Sequence, residues 1–487
     1  MYWIQQLLEV FLQLVADIYE IFKTAGSFEE LEECVQRLVQ KTTAELIKIA
    51  LEEIDNQLAA ERDKELENID KRERTIVTTA GEITFKRRYY RAPDGRNVYL
   101  LDETLGIESR KRVSPRLSKM MLEMGVEMPF RKAAALMEYL VPGLSAMKVW
   151  NEVQRAGAKA KEEAEELRRR VFEDGEVPTG KKEAKQLNIE ADGVMIGQQR
   201  SEYRHAEVKL FVGYEGKEGE PRRLSNRKSV AGLGESEEMW EEASARFGQE
   251  WRLSRESRVR IGGDGASWIK DGLEVFPGAS YHLDQFHLRK RLTEALSFSS
   301  KHYRAVSMHI ANLDRDGLEK ALGEALQAAG DKARRKRIRE LHSYLMNNWE
   351  GIAKLPAEER LGTIEGQVRH TIARRMKRIG ARWSPAGTDH MARLLAARSN
   401  NELTRYADNY RAVDRDRLAR VMPESVINSK DGTTGRDLSE WLAAEVPALY
   451  GPEADKMWFK YVLKQIARFN AMRLNIDILI QTRSCPH

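Results

Sequence analysis

RIGGDGASWIK, residues 260–270, is the stretch on which the reading of this chain turns. Arg260 and Ile261 close a β-branched run, and two glycines then free the backbone for a turn. Asp264 stands between Gly263 and Gly265, where the chain leaves that strand. One reading makes it a plain turn residue, because aspartate favours turns. The other makes it a carboxylate held at a strand end for chemistry. What the rest of the chain brings beside it separates the two.

Upstream, QLNIEADGVMIGQQ (186–199) reads as a strand with Asp192 in its middle. HAEVKLFVGYEGKEG (205–219) is a second strand and RRLSNRKSVAGL (222–233) a weaker third. ESEEMWEEASARFGQEW (235–251) has helical spacing, and the strand ending at Gly263 follows it. ASYHLDQFHLRKRL (279–292) is a last strand entering a helix. Three strands, a helix and two further strands is the order of an RNase H-like α/β core. In such a core the first and fourth strands are central neighbours, so Asp192 and Asp264 face each other. Like charges so placed repel, and a divalent cation relieves the repulsion. Oxygen ligands suit Mg²⁺ or Mn²⁺, and two such ions are expected for phosphodiester chemistry.

An ionised aspartate in mid-strand beside Ile189, Val194 and Ile196 is costly unless satisfied, which favours a functional Asp192. Glu190, two residues earlier on the same face, competes for that role. Glu365, in TIEGQVRHTIARRMKRIGARW (363–383), is the candidate third carboxylate. Arg369, Arg374, Arg375, Lys377 and Arg378 follow it as phosphate-binding cations. The alternative for Glu365 is a surface pair with Arg369, four residues on. Asp284 and His287 are spaced as Asp-x-x-His. They read as a wall of the active site or, less specifically, as part of a zinc site. Lys270, Arg289 and Lys290 supply a basic edge toward DNA.

The other segments read as helical or linking. Residues 1–72 have helical periodicity, with Leu31, Val35, Leu38, Leu46, Ile49 and Ile54 forming a stripe. The first 22 residues are apolar but contain Glu9, Asp17 and Glu20 and have no basic start. That favours an amphipathic helix on a partner over a signal or spanning helix. A hairpin is predicted over 75–91, within a domain 73–157. In that domain a helix near 130–140, a Pro142-Gly143 turn and a second helix capped by Ser145 fit a helix-turn-helix. Lys148, Asn151 and Gln154 would then meet DNA. A plain helical pair is the alternative. Residues 158–184 read as a charged helix and linker, 185–288 as the first part of the core, and 289–360 as an all-α insertion. Residues 361–400 carry the glutamate helix, and 401–487 are a C-terminal helical region with a loop at SKDGTTGRD (429–437).

Composition sets outer bounds. The 487 residues suffice for several domains, and 41% hydrophobic content can build real cores. With 81 basic and 76 acidic residues the net charge is only +5, which excludes a wholly basic coat and allows local basic patches. Two distant cysteines, Cys34 and Cys485, exclude a disulfide framework or a Cys-x-x-Cys zinc site, and a cytoplasmic setting is expected.

Together, GEITFKRRYY (81–90), LLDETLGI (100–107), IEADG (189–193), GDGASWIK (263–270), LDQFHLRK (283–290) and EGQVRH (365–370) resemble the ISLre-type insertion-sequence transposases, relatives of the Mutator-type enzymes. The resemblance spans roughly residues 70–400. It implies a DDE transposase that uses Mg²⁺ or Mn²⁺ on double-stranded DNA, at terminal inverted repeats and target, as a homodimer or larger assembly on the nucleoid. It carries Asp192, Asp264 and Glu365 over as the metal-binding catalytic triad and strengthens the helix-turn-helix reading. The chain departs from the family pattern at Gly193, where members carry an acidic residue. A nuclease or resolvase that cuts without joining, and a DNA-binding protein with a dead triad, are the rival functions.

Overall fold

The computed structural model describes residues 2–219, 223–352, 361–377 and 380–421. Residues 1–415 form one compact unit; of a second, 416–487, only 416–421 are described. The loop 429–437, Arg378 and most of the expected C-terminal helical region therefore lie outside the described residues.

The chain opens with helices α1 (Tyr2–Thr24) and α2 (Phe28–Glu61), the second capped by Ser27, whose side chain accepts from the Glu30 amide. The expectation of helix to residue 72 fails after Glu61. Strand β1 (Glu67–Thr78) instead pairs antiparallel with β2 (Gly81–Arg91), from Glu67–Arg91 to Thr78–Gly81. Its charged first half hides the strand period. The long partner strand supplies the hydrogen bonds, and tertiary pairing overrides local helix preference. β3 (Asn97–Val98) extends this small sheet, and α2 packs on β2, where Glu52 and Asp55 accept from the Lys86 (2.8 Å) and Arg88 (3.0 Å) amides.

Helices α3 (Leu100–Thr104), α4 (Pro115–Glu127), α5 (Phe130–Met137) and α6 (Ala146–Phe172) follow. Ser145 caps α6 as the sequence suggests. However, α6 runs unbroken through the expected boundary at 157. Ala, Glu, Lys and Arg give it no reason to stop. Its Val153, Ala156 and Ala160 are buried in the main core, so the helix joins the two regions and does not link them loosely.

The central sheet is built from β4 (Lys182–Gly197), β5 (His205–Tyr214), β8 (Lys228–Gly232), β9 (Trp251–Gly263) and β10 (Ser280–Leu283), with β6 (Gly216–Glu218) and β7 (Arg223–Ser225) as a side ribbon. Its order is β10-β9-β4-β5-β8. β4 lies antiparallel to β5 and parallel to β9, and β9 lies parallel to β10. Helix α7 (Ser236–Gly248), with the short α8 (Ser267–Lys270) and α9 (Gly272–Val275), covers one face, where Leu187, Ile189 and Ala191 point. Alternate residues Val194 and Ile196 point to the other face, against α6 and α16 (Pro385–Ser399).

Between β10 and the glutamate segment, α10 (Gln285–Leu296), α11 (Ser300–Asn312), α12 (Arg315–Ala328) and α13 (Lys332–Asn347) form a helical insertion with its own core. The glutamate segment is not one long helix. It is α14 (Ile364–Val368), a π-helical turn Arg369–Ala373, and α15 (Arg374–Met376). α17 (Arg415–Val421) ends the described chain. Among the described residues no helix is long and apolar enough to cross a membrane.

Candidate metal centre

The site is set by the register of two parallel strands. After a register shift between Ala184 and Gln186, β4 and β9 pair in step from Gln186–Arg258 to Glu190–Gly262. Two residues beyond that pair stand Asp192, still within β4, and Asp264, in the bend just past the end of β9, close enough for its charge to act on Asp192. Neighbouring strands are about 4.8 Å apart. Asp284 continues the row: Leu283 pairs with Gly263, and the Asp284 amide donates to the Gly263 carbonyl at 2.8 Å. The glycines make this possible. A Cβ on Gly263 would lie 2.5 Å from Ile269, and Gly265 has φ +98° with Asn348 2.8 Å from its would-be Cβ.

Asp192 is buried, and its Oδ1 accepts from the Gly193 amide at 2.8 Å. Burial first, and the charge of Asp264 second, push its carboxyl up to about 6; His287 and the Gly193 amide work against them. Ligand atoms of Asp192, His287 and Glu365 all lie within 4.8 Å of one another. His287 Nε2 is 3.9 Å from Glu365 Oε2. Asp264 stands outside this tight group. Its Oδ1 accepts from the Ala266 amide at 2.9 Å, and the Tyr344 hydroxyl donates to its backbone carbonyl at 2.8 Å. The insertion thus clamps the Asp264 turn from its last long helix.

Glu190 is no competitor for the metal role. It is buried, and its Oε2 accepts from the amides of Gly362 (2.7 Å), Thr363 (2.8 Å) and Ile364 (3.1 Å). The hydroxyls of Thr363 and Tyr214 each donate to it at 2.6 Å. It fastens the start of α14 to β4 and so sets Glu365 above Asp192. A buried glutamate two residues before Asp192 is the available sequence signal, but its amide partners lie 172 to 174 residues away.

The anticipated pair between Glu365 and Arg369 does not form. The Arg369 amide still bonds the Glu365 carbonyl, so the backbone between them is α-helical and the two side chains simply diverge. Glu365 faces His287 instead. Asp284 is less a wall than a buried cap: its Oδ1 accepts from the Phe286 amide at 2.6 Å, and burial pushes its carboxyl up. Its other oxygen is buried without a hydrogen-bond partner among the described residues.

Of the expected DNA contacts, Arg289, Lys290, Arg369, Arg374 and Lys377 are exposed. Arg375 is half-buried, and burial holds its guanidinium down at about 10. Lys148 and Asn151 are exposed on α6 and line a cleft with Arg110, Arg112 and Arg155. Two of the expected residues are engaged within the fold. Gln154 turns inward to His390, with 3.0 Å between Oε1 and Nδ1, and Lys270 donates to the Asn347 carbonyl at 2.7 Å. In both cases a neighbouring helix, far away in sequence, takes the polar group. In LLDETLGI, Asp102 is likewise structural, buried between Arg74 (2.7 Å) and Arg87 (3.1 Å).

A family model described as an uncharacterised protein family, UPF0236, matches residues 22–411. The chain belongs to UPF0236. Similar members include a UPF0236 protein of Caldanaerobacter subterraneus subsp. tengcongensis, 29% identical over 385 residues, covering 77% of this chain and 78% of the relative. The printed name of that relative joins eleven loci. A UPF0236 protein of Streptococcus gallolyticus, named for a vanSb 3′ region, is 28% identical over 416 residues, covering 81% and 88%. The matched UPF0236 range includes Asp192, Asp264, His287 and Glu365.

Proposed function

We propose that the chain is a DDE-type DNA transposase of an insertion sequence. In this reading it cleaves at the ends of its element and joins the freed 3′-hydroxyls to target DNA. The observation that carries the proposal is Asp192 on β4 with Asp264 just past the end of the adjacent parallel strand, and with Glu365 and His287 converging on Asp192. The strand order and the helical insertion before Glu365 support an RNase H-like core. The eleven loci in one relative's name fit a sequence that multiplies within a genome.

The residues fit a divalent cation. Asp192 keeps one oxygen beyond its Gly193 contact, and His287 Nε2 is buried with no hydrogen-bond partner among the described residues. Two carboxylates with an imidazole favour Mn²⁺ over Mg²⁺, which prefers oxygen alone. The bound cation would supply Lewis acidity at a phosphodiester oxygen. The chain's own part is to hold the scissile phosphate in line, with Arg289, Lys290 and Arg369 as candidate phosphate contacts. Two element ends require two copies, and α1 with α2 is the proposed contact. The setting would be the nucleoid in the cytoplasm.

The test is cleavage and strand transfer on element-end DNA with Mn²⁺ or Mg²⁺. Wild type should give joined product, and Asp264→Ala should give none while still binding the ends. Cleavage that survives Asp264→Ala sinks the site assignment. Cleavage without joining identifies a nuclease, and binding without cleavage identifies a DNA-binding protein.

A further inference from the structure

A second cavity opens between the α4–α5 junction, the first turns of α6 and the segment before α16. Its volume is about 770 Å³, within the range of small-ligand sites. Trp150 (40% exposed) and Met147 (62% exposed) form one wall, and Phe130 with Trp383 forms the floor. Those two rings meet edge-on, 6.3 Å apart. Arg375 lies over both, 5.3 Å and 5.0 Å from the ring centres. Lys132, Arg200, Arg374 and Arg382 complete the lining, against a single carboxylate, Glu127, already paired with Arg398 at 2.7 Å. Arg200 holds a left-handed backbone, φ 55°, a strained conformation for arginine.

A flat apolar wall ringed by cations matches a ligand with a planar ring and a phosphate. We propose that this cavity takes an unpaired nucleotide of a DNA strand, its base against Trp150 and its phosphate among Arg200, Arg374 and Arg382. Bases stack on exposed aromatic rings, and arginines neutralise the backbone. Position favours a strand over a free nucleotide. Gln199 follows Asp192 by seven residues along β4 and its end, roughly 23 Å at 3.3 Å per residue. Arg374 follows Glu365 by nine residues, roughly 14 Å at 1.5 Å per residue. A strand crossing the carboxylates reaches the cavity within roughly four to seven nucleotides at the duplex spacing of about 3.4 Å, and within fewer where it is unpaired and extended. This extends the transposase reading: the enzyme would grip a few melted nucleotides beside the cleaved end.

The experiment compares binding of the full-length protein to a blunt duplex and to the same duplex with an unpaired tail of about ten thymidines, by fluorescence anisotropy. The tail should tighten binding about tenfold. Trp150→Ala and Arg382→Glu should each remove that advantage and leave blunt-duplex affinity within about twofold. Both side chains are solvent-exposed, so folding should survive, and circular dichroism checks it. Equal wild-type affinity for both DNAs, or full retention of the tail advantage in both variants, overturns the proposal. Competition of the tail by micromolar thymidine monophosphate also overturns it, because the site would then be one for free nucleotides. A tail preference in a protein that never cleaves keeps the cavity and removes the catalytic reading. Cleavage without tail preference does the reverse.

Discussion

Glu190 and Asp192 sit two residues apart on one strand, on one face, both buried. Glu190 meets five donors, whereas Asp192 meets one backbone amide. The same chemical group is thus used once to fasten and once to wait. A carboxylate whose acceptor sites are filled contributes to stability and has little left for a ligand. One left short of donors destabilises the fold until a cation or proton arrives.

The contrast is broken most severely at Glu190. Glu190→Gln replaces a charged acceptor by an amide facing amide donors, and should destabilise by about 3–5 kcal/mol. Urea unfolding measures this, and a loss below about 1 kcal/mol would show that the fastening is not as described. Asp192→Asn should have the opposite sign. Its native carboxyl, near 6, lies above the unfolded value of about 3.9, so the native state holds the proton more tightly. Stability from this group is whole below about pH 4 and lost as pH rises to about 6. At pH 7 the loss is about 3 kcal/mol, less some relief by solvent. Metal-free Asp192→Asn should therefore melt higher than wild type at pH 7 and equally at pH 4, and should lose cleavage. Mn²⁺ should raise the wild-type melting temperature and not that of the variant. The smallest stability change belongs to Glu365→Gln. Its side chain is 53% exposed, and unfolding should shift by no more than about 0.5 kcal/mol while cleavage disappears. A large stability loss there would make Glu365 a fastening residue like Glu190.

Much of this centre was legible because it is local or periodic. Strand spacing and the glycines around Asp264 give the parallel pair, and the basic run after Glu365 marks its segment. Contacts made across long stretches were not legible. His287 joins Asp192 and Glu365 only because α10 leaves β10 at that angle. The purpose of Glu190 depends on amides beyond the whole insertion. Gln154 and Lys270 had the right chemistry for DNA and were claimed by His390 and Asn347. The early half of β1 failed for a related reason, since its partner defines it and its own composition does not.

The fastening by Glu190 has a kinetic side. It closes a loop of 172 residues, while β4 and β5 meet across a short turn. Closing a long loop costs entropy before any contact is gained, so the hairpin should form early and the clasp late. Weakening a late contact speeds unfolding and leaves refolding nearly unchanged. Stopped-flow traces of Glu190→Gln should show the change in the unfolding arm. The candidate site would then be assembled only after nearly all the described chain between residues 190 and 364 has found its place, so a partly folded chain would not bring Asp192, His287 and Glu365 together.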